Sequence, residues 1–166
     1  MEHTKENIIT DTVWGLMNDV YDPEIPVLSV IDLGIIRDVK LKGEEIEVFI
    51  TPTYSGCPAM DVISMNIRMM LLQSGFQKFT ITQQLSPAWT TDWMTKEGKE
   101  KLEAYGIAPP VGKTFDQKYL EEDIHPQCPL CKSSNTKLIS QFGSTACKAL
   151  YKCNDCLEPF DYFKCH

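Results

Sequence analysis

The chain has 166 residues, 43% of them hydrophobic and 23% charged, with seven cysteines and a formal net charge of −7; that leaves room for one modest core plus a small metal-stabilised module. The negative balance lacks the basic surplus that phosphate contacts demand, and the longest apolar runs are too short to span a bilayer, so neither nucleic acid nor a membrane is expected as a partner. Cysteines without an export signal point to the cytoplasm, where reduced thiols act as metal ligands or reactive groups.

Ile9, Val13, Leu16, Met17 and Val20 recur at helical spacing, which predicts an amphipathic helix over residues 6–21. Asp22-Pro23-Glu24-Ile25-Pro26 follows, and its two prolines forbid further helix. Residues 35–41 read as a strand, Lys42-Gly43 as a turn, and 46–51 as a second strand with Ile46, Val48 and Ile50 alternating, which makes a hairpin. The turn-rich stretch Thr53-Tyr54-Ser55-Gly56-Cys57-Pro58 feeds a helix over 59–74, lined by Val62, Ile63, Ile67, Met70 and Leu71 and capped by Gly75. A third strand is expected at 78–85, with Phe79, Ile81 and Gln83 on one face. Thr95 suits the start of a short helix that Gly106 ends near Tyr105. Ala108-Pro109-Pro110 and the acidic residues to Asp123 read as a linker.

The last segment carries Cys128 and Cys131, then Cys153 and Cys156: two CxxC pairs with 21 residues between them. A CxxC turn sets two thiolates on one side of a metal, and two such turns on a hairpin close a four-sulfur shell around Zn²⁺. Redox disulfides are the alternative for such pairs. Residues 1–124 hold 11 Lys/Arg against 20 Asp/Glu, while 125–166 hold five against three; four thiolates on Zn²⁺ bring the second segment to about neutral, which again argues against nucleic acid. Strands are expected at 137–142, 149–151 and 159–163. The order α-β-β-α-β-α followed by a zinc ribbon reads as a small α+β sandwich with helices on one sheet face. Its expected parts are a domain over 1–107, a linker over 108–124 and the ribbon over 125–166.

Cys57 stands between Gly56 and Pro58 at a strand-to-helix junction. Helix N-terminal N–H groups would favour its thiolate as nucleophile, redox centre or metal ligand; a small buried residue in a tight turn explains it equally well. Asp22 and Glu24 form an acid pair beside a rigid bend, for which a capping role is the simpler reading. Asp32 lies in an apolar run and is expected to hold a turn closed. Trp89 and Trp93 suit a binding loop or, more simply, core packing. Cys147, Cys165 and His166 fall outside the four-ligand set, and His3 and His125 have no partner at ligand spacing.

Asp22-Pro23-Glu24-Ile25-Pro26, then Ser29-Val30-Ile31-Asp32-Leu33-Gly34, then Thr51-Pro52-Thr53-Tyr54-Ser55-Gly56-Cys57-Pro58 resemble the SufT-like domain associated with iron–sulfur protein maturation. Together with Ser86-Pro87-Ala88-Trp89-Thr90-Thr91-Asp92-Trp93, Phe142-Gly143-Ser144-Thr145-Ala146-Cys147-Lys148 and the ribbon, they make the chain similar to the PaaD (PaaJ) family, the D component of the phenylacetyl-CoA epoxidase system. The resemblance implies an accessory, non-catalytic role in aerobic phenylacetate degradation. It implies help in assembling or delivering the cluster of the system's flavin and iron–sulfur reductase, the expected partner among the epoxidase components. It also implies that Cys57 contacts a transient Fe–S cluster. One thiol cannot complete the usual four-cysteine shell, so a second copy of the chain, a small thiol or another cysteine would have to contribute. Two further readings stand beside it. One is a non-catalytic subunit that stabilises the oxygenase or reductase; the other is a thiol enzyme using Cys57, for which the sequence offers no neighbouring base.

Overall fold

A computed structural model describes residues 2–111 and 124–164, with side chains from residue 6 onward. Cys165, His166 and the side chain of His3 lie outside the described residues, as do positions 112–123 of the expected linker. The chain divides into two compact units, Met1–Trp89 and Thr90–His166.

The first unit contains α1 (Glu2–Met17), the hairpin β1 (Ile36–Lys42) and β2 (Glu45–Ile50), α2 (Ala59–Gln73) and β3 (Phe79–Gln83). β1 and β2 pair antiparallel, with Val39 opposite Val48; β2 and β3 pair parallel, with Val48 opposite Ile81. A parallel neighbour requires a crossover, and α2 supplies it. Ile46, Val48 and Ile50 on β2 are buried along with Val13 and Met17 of α1 and Ile63, Ile67 and Leu71 of α2. The opposite sheet face is polar: Lys42 pairs with Glu47 at 2.9 Å, and Lys40 lies 5.0 Å from the Phe49 ring centre. Only one face is therefore closed by helices, as the alternation on β2 requires.

α1 stops at Met17, earlier than the expected residue 21. The Val20 carbonyl accepts from the Val30 N–H at 2.9 Å, and Tyr21 bridges to Ser29, so the backbone there is committed to a cross-chain contact that a helix would forbid. α2 begins and ends close to expectation, with Gly75 at φ +89° after the cap. Its buried stripe includes Ala59 and Met60, whereas Val62 faces outward.

In the second unit a 3-10 turn (Thr91–Trp93) leads to α3 (Lys96–Ala104), whose N-cap Thr95 accepts from the Gly98 N–H at 2.9 Å. β4 (Ile107–Ala108), β5 (Thr136–Ser140), β6 (Lys148–Cys153) and β7 (Pro159–Phe163) form one sheet in the order β4-β7-β6-β5. Ala108, which the sequence reading sets in a linker, is instead a buried strand residue opposite Tyr162. α3 contacts β4, so the last expected element of the sandwich belongs to the unit that carries the ribbon. Tyr151, packed on Phe160 at 6.0 Å and edge-on to Tyr162 at 5.5 Å, centres a core that includes Cys128 and Cys153. No described helix is long and apolar enough to cross a membrane.

Candidate metal centre and thiol loop

Each half of the ribbon centre is a turn of the same design. Lys132 and Leu157, directly after the second cysteine of each pair, adopt φ +63° and +68°. The Cys128 N–H donates to the Ser133 carbonyl at 2.8 Å, and the Cys153 N–H to the Glu158 carbonyl at 3.0 Å. Both bonds span five residues, so both turns curl their sulfurs inward in the same way. β5 and β6 bring them together, with Thr136 opposite Cys153 in register.

The four sulfurs of Cys128, Cys131, Cys153 and Cys156 lie within 4.8 Å of one another. Cys128 and Cys156 are 3.8 Å apart, and Cys131 and Cys153 3.5 Å. A tetrahedron with Zn–S bonds of ~2.3 Å has edges of about 3.8 Å, so the spacing and the donor set both fit such an ion. Cys128 and Cys153 are buried, Cys156 is half-buried and Cys131 exposed, which makes one edge of the cluster the open side.

The proton affinities of these thiols diverge. The Cys156 backbone N–H is the main reason that the Cys153 thiol is held down to about 7; burial opposes it, while the Asp155 N–H and the neighbouring Cys131 and Cys156 thiols assist. The Glu158 N–H pulls on Cys156, but burial and the sulfurs of Cys131, Cys153 and Cys128 outweigh it and push that thiol up to about 12. The Ser133 N–H acts on Cys131 in the same way and is likewise outweighed, by the Cys153 thiol and by burial. A first thiolate is favoured and further ones are repelled by it; a divalent cation at the centre removes that repulsion.

Sequence reasoning missed a polar group beside the sulfurs. Asp155 accepts from the Ser133 hydroxyl and from Asn135 Nδ2, and these bonds hold its carboxyl below the usual range. The only signal was an acidic residue inside the second CxxC, which reads simply as a turn former. His125 is not near ligation: its Nδ1 donates to the Thr136 carbonyl at 2.8 Å. Cys147 is buried with Thr145 Oγ1 3.0 Å from its sulfur.

In the first unit Cys57 is a free, half-buried thiol one residue before the Pro58 cap of α2. Gly56 at φ +85° sets the turn, and no other heavy atom lies near the place of its missing side chain, so the conformation itself calls for glycine. The Cys57 N–H donates to the Tyr54 carbonyl at 3.2 Å, and its own carbonyl accepts from Met60 at 3.3 Å. Pro58 suits a helix start because it has no N–H to leave unpaired. Cys57 is the single cysteine between residues 1 and 89.

The other singled-out residues serve structure. Asp22 Oδ1 accepts from Glu24 and Ile25 N–H at 2.7 and 2.9 Å. Asp32 and Ser29 exchange reciprocal bonds of 3.0 Å. Trp89 is buried and donates from Nε1 to the Leu33 carbonyl at 2.8 Å, so it is a core residue.

Comparison with known proteins gives the following. A family model described as iron–sulfur cluster assembly protein matches residues 10–75, and one described as PaaD zinc beta ribbon domain matches residues 113–164. A protein of Escherichia coli (strain K12), provisionally named as the D component of 1,2-phenylacetyl-CoA epoxidase, is 50% identical over 153 residues, 92% of this chain and 91% of that one. A Porphyromonas gingivalis (strain ATCC BAA-308 / W83) protein named Fe-S protein maturation auxiliary factor is 35% identical over 101 residues, 60% of this chain and 90% of its own length. The crystal structure of a DUF59 domain of unknown function from Bacillus anthracis matches with a TM-score of 0.57 at 19% identity, covering 60% of this chain and 96% of that one. That last likeness concerns the fold alone.

Proposed function

The chain belongs to the PaaD family, and from that membership we propose that it is an accessory protein of aerobic phenylacetate degradation that assists iron–sulfur cluster assembly or delivery to the reductase of a phenylacetyl-CoA epoxidase complex. The observation that carries the proposal is the union, in one chain, of an iron–sulfur assembly domain and a PaaD ribbon. The protein acts in the cytoplasm, converts no substrate itself and has no need of a catalytic base.

In this reading the two units divide the work. Cys128, Cys131, Cys153 and Cys156 hold one structural Zn²⁺, because a closed four-thiolate shell leaves no position for water or substrate. Zinc supplies cross-linking there and no reaction chemistry. Cys57 contacts the cluster as cargo. Its half-exposed position at the start of α2 allows a soft ligand to be offered, and one thiol leaves the rest of a four-cysteine shell to the client, a second copy or a small thiol. Weak, incomplete ligation by the carrier is what permits release.

Anaerobic reconstitution of the full chain with iron and sulfide tests this, read by the visible spectrum and by transfer to the metal-free reductase. Cluster absorption that disappears in Cys57→Ser, with transfer lost in parallel, is the expected result. A colourless wild-type protein that transfers nothing would reject the carrier reading.

One observation favours a second reading, a non-catalytic subunit that stabilises the oxygenase or reductase. Val62, Met65, Met69 and Leu72 are 44%, 58%, 50% and 51% exposed and recur at three- and four-residue intervals on α2, an apolar stripe of the kind that protein partners cover. Colourless protein that co-purifies with epoxidase components, and loses them when Met65 and Met69 become Lys, would support it.

A further inference from the structure

A set of side-chain contacts links the two cysteine turns without involving any sulfur. Asp155, between Cys153 and Cys156, accepts from the Ser133 hydroxyl through Oδ2 and from Asn135 Nδ2 through Oδ1 at 2.8 Å. Ser133 Oγ also accepts from the Asn135 N–H at 3.0 Å, which fixes the hydroxyl from the other side. Asn154 donates from Nδ2 to Asn135 Oδ1 at 2.9 Å and from its backbone N–H to the Asn135 carbonyl at 2.8 Å. Two neighbouring residues of the second turn thus grip two residues that follow the first.

The clasped residues follow a facing pair of thiols: Cys131 stands two positions before Ser133, and Cys153 two positions before Asp155. These two thiols come from different turns and stand 3.5 Å apart. The Asp155–Ser133 bond therefore ties together the residues two positions beyond each of two facing thiols.

Resting on the reading of the four cysteines as ligands of one metal, we infer that Asp155 is a positioning residue for that site. Through Ser133 and Asn135 it clasps the two turns and holds the four sulfurs at coordinating separation. Outer contacts of this kind are worth 10- to 100-fold in metal affinity, in order of magnitude. Asp155→Ala removes both acceptors; Asp155→Asn keeps one of them and the shape.

The full chain, stripped of metal under reducing, anaerobic conditions, is titrated with Co²⁺ and with Zn²⁺ against a competing chelator, and metal release is followed after mixing with excess chelator. Asp155→Ala is expected to bind one metal per chain with the thiolate–cobalt absorption unchanged in shape, about 10- to 100-fold more weakly and with faster release. Ser133→Ala should shift both readings the same way by less, and Asp155→Asn should recover part of the loss. A loop stabiliser with no positioning role would lower the melting temperature of the metal-loaded chain and leave the rate of metal release from the folded ribbon unchanged. If Asp155→Ala does not fold, Asp155→Asn and Ser133→Ala decide. Affinities within twofold of wild type in those variants, with one tightly held metal in the wild type, overturn the clasp alone. A wild type without one metal, or without thiolate–cobalt absorption, overturns the four-cysteine reading and the clasp with it.

Discussion

The two units use sulfur in opposite ways. In the ribbon, four thiols converge within 4.8 Å, backed by N–H donors and a polar clasp. In the first unit a single thiol stands at a helix start with no other cysteine in its unit. Local spacing suffices for the first arrangement, because each CxxC turn sets two donors and one hairpin joins the turns. The second arrangement is incomplete as a metal site, and that incompleteness suits a group that must let go. The same contrast runs through stability: aliphatic burial between sheet and helices sustains the first unit, and the ribbon has a small aromatic core and, in our proposal, a metal.

Loss of one ribbon cysteine should separate the two units most sharply. Replacing Cys128 or Cys153 with Ser is expected to remove the metal and unfold the ribbon, since zinc binding in such modules amounts to roughly 10 kcal/mol or more of folding free energy. Metal content by mass spectrometry and limited proteolysis after residue 124 would register it, and a strong chelator should reproduce it in the wild type. Helical circular dichroism from α1 and α2 should persist. A ribbon that stays protected after the metal is gone would show that Tyr151 and its neighbours suffice alone.

The converse experiment sits at Ile67, fully buried on α2. Ile67→Ala should cost about 2–5 kcal/mol through lost burial and the cavity left behind. Denaturant unfolding with and without chelator, followed by the helical circular dichroism that α1 and α2 dominate, would measure it. A loss that depended on the chelator would mean that the two units share their stability.

Much of this organisation is legible in the sequence, for identifiable reasons. The clustering of the four ribbon cysteines is readable because each CxxC sits in a single turn. β2 and α2 are readable because one face of each is buried and the period shows it. Two features escaped because distant residues decide them. The end of α1 depends on a bond from Val20 to Val30, and β4 exists because β7 offers Ile107 and Ala108 an edge. A two-residue strand has no period, and the following prolines disguise it as linker. Val62 shows the limit of pattern reading on α2 itself: an apolar residue at the margin of the stripe is solvent-facing. The Asp155 clasp was illegible because Ser, Asn and Asp in turns are expected for local reasons, and nothing local says that they meet across two turns.

A smaller effect is expected at Thr95, where the hydroxyl caps α3 through the Gly98 N–H. Thr95→Ala should destabilise by about 1 kcal/mol, read as a small downward shift of the ribbon unit's unfolding midpoint. The first unit should not respond, because α3 lies outside it. A response in both units would argue for cooperative unfolding.

Cys57→Ser should have the smallest effect on folding and the largest on function. The thiol is half-buried in a turn whose shape is set by Gly56 and Pro58, so exchanging sulfur for oxygen should change stability by about 0.5 kcal/mol or less. The same exchange removes the first unit's one thiol and with it its one potential thiolate. Restored growth on phenylacetate and the cluster content of the reductase, each compared between wild type and variant in a strain lacking the natural gene, separate the outcomes. Lost growth with an empty reductase fits cluster delivery through Cys57. Lost growth with a full reductase moves its action to another step in maturing the oxygenase. Normal growth with full clusters would make Cys57 a packing residue, and the asymmetry between the two units would then concern architecture alone, with the apolar stripe on α2 left as the first unit's working surface.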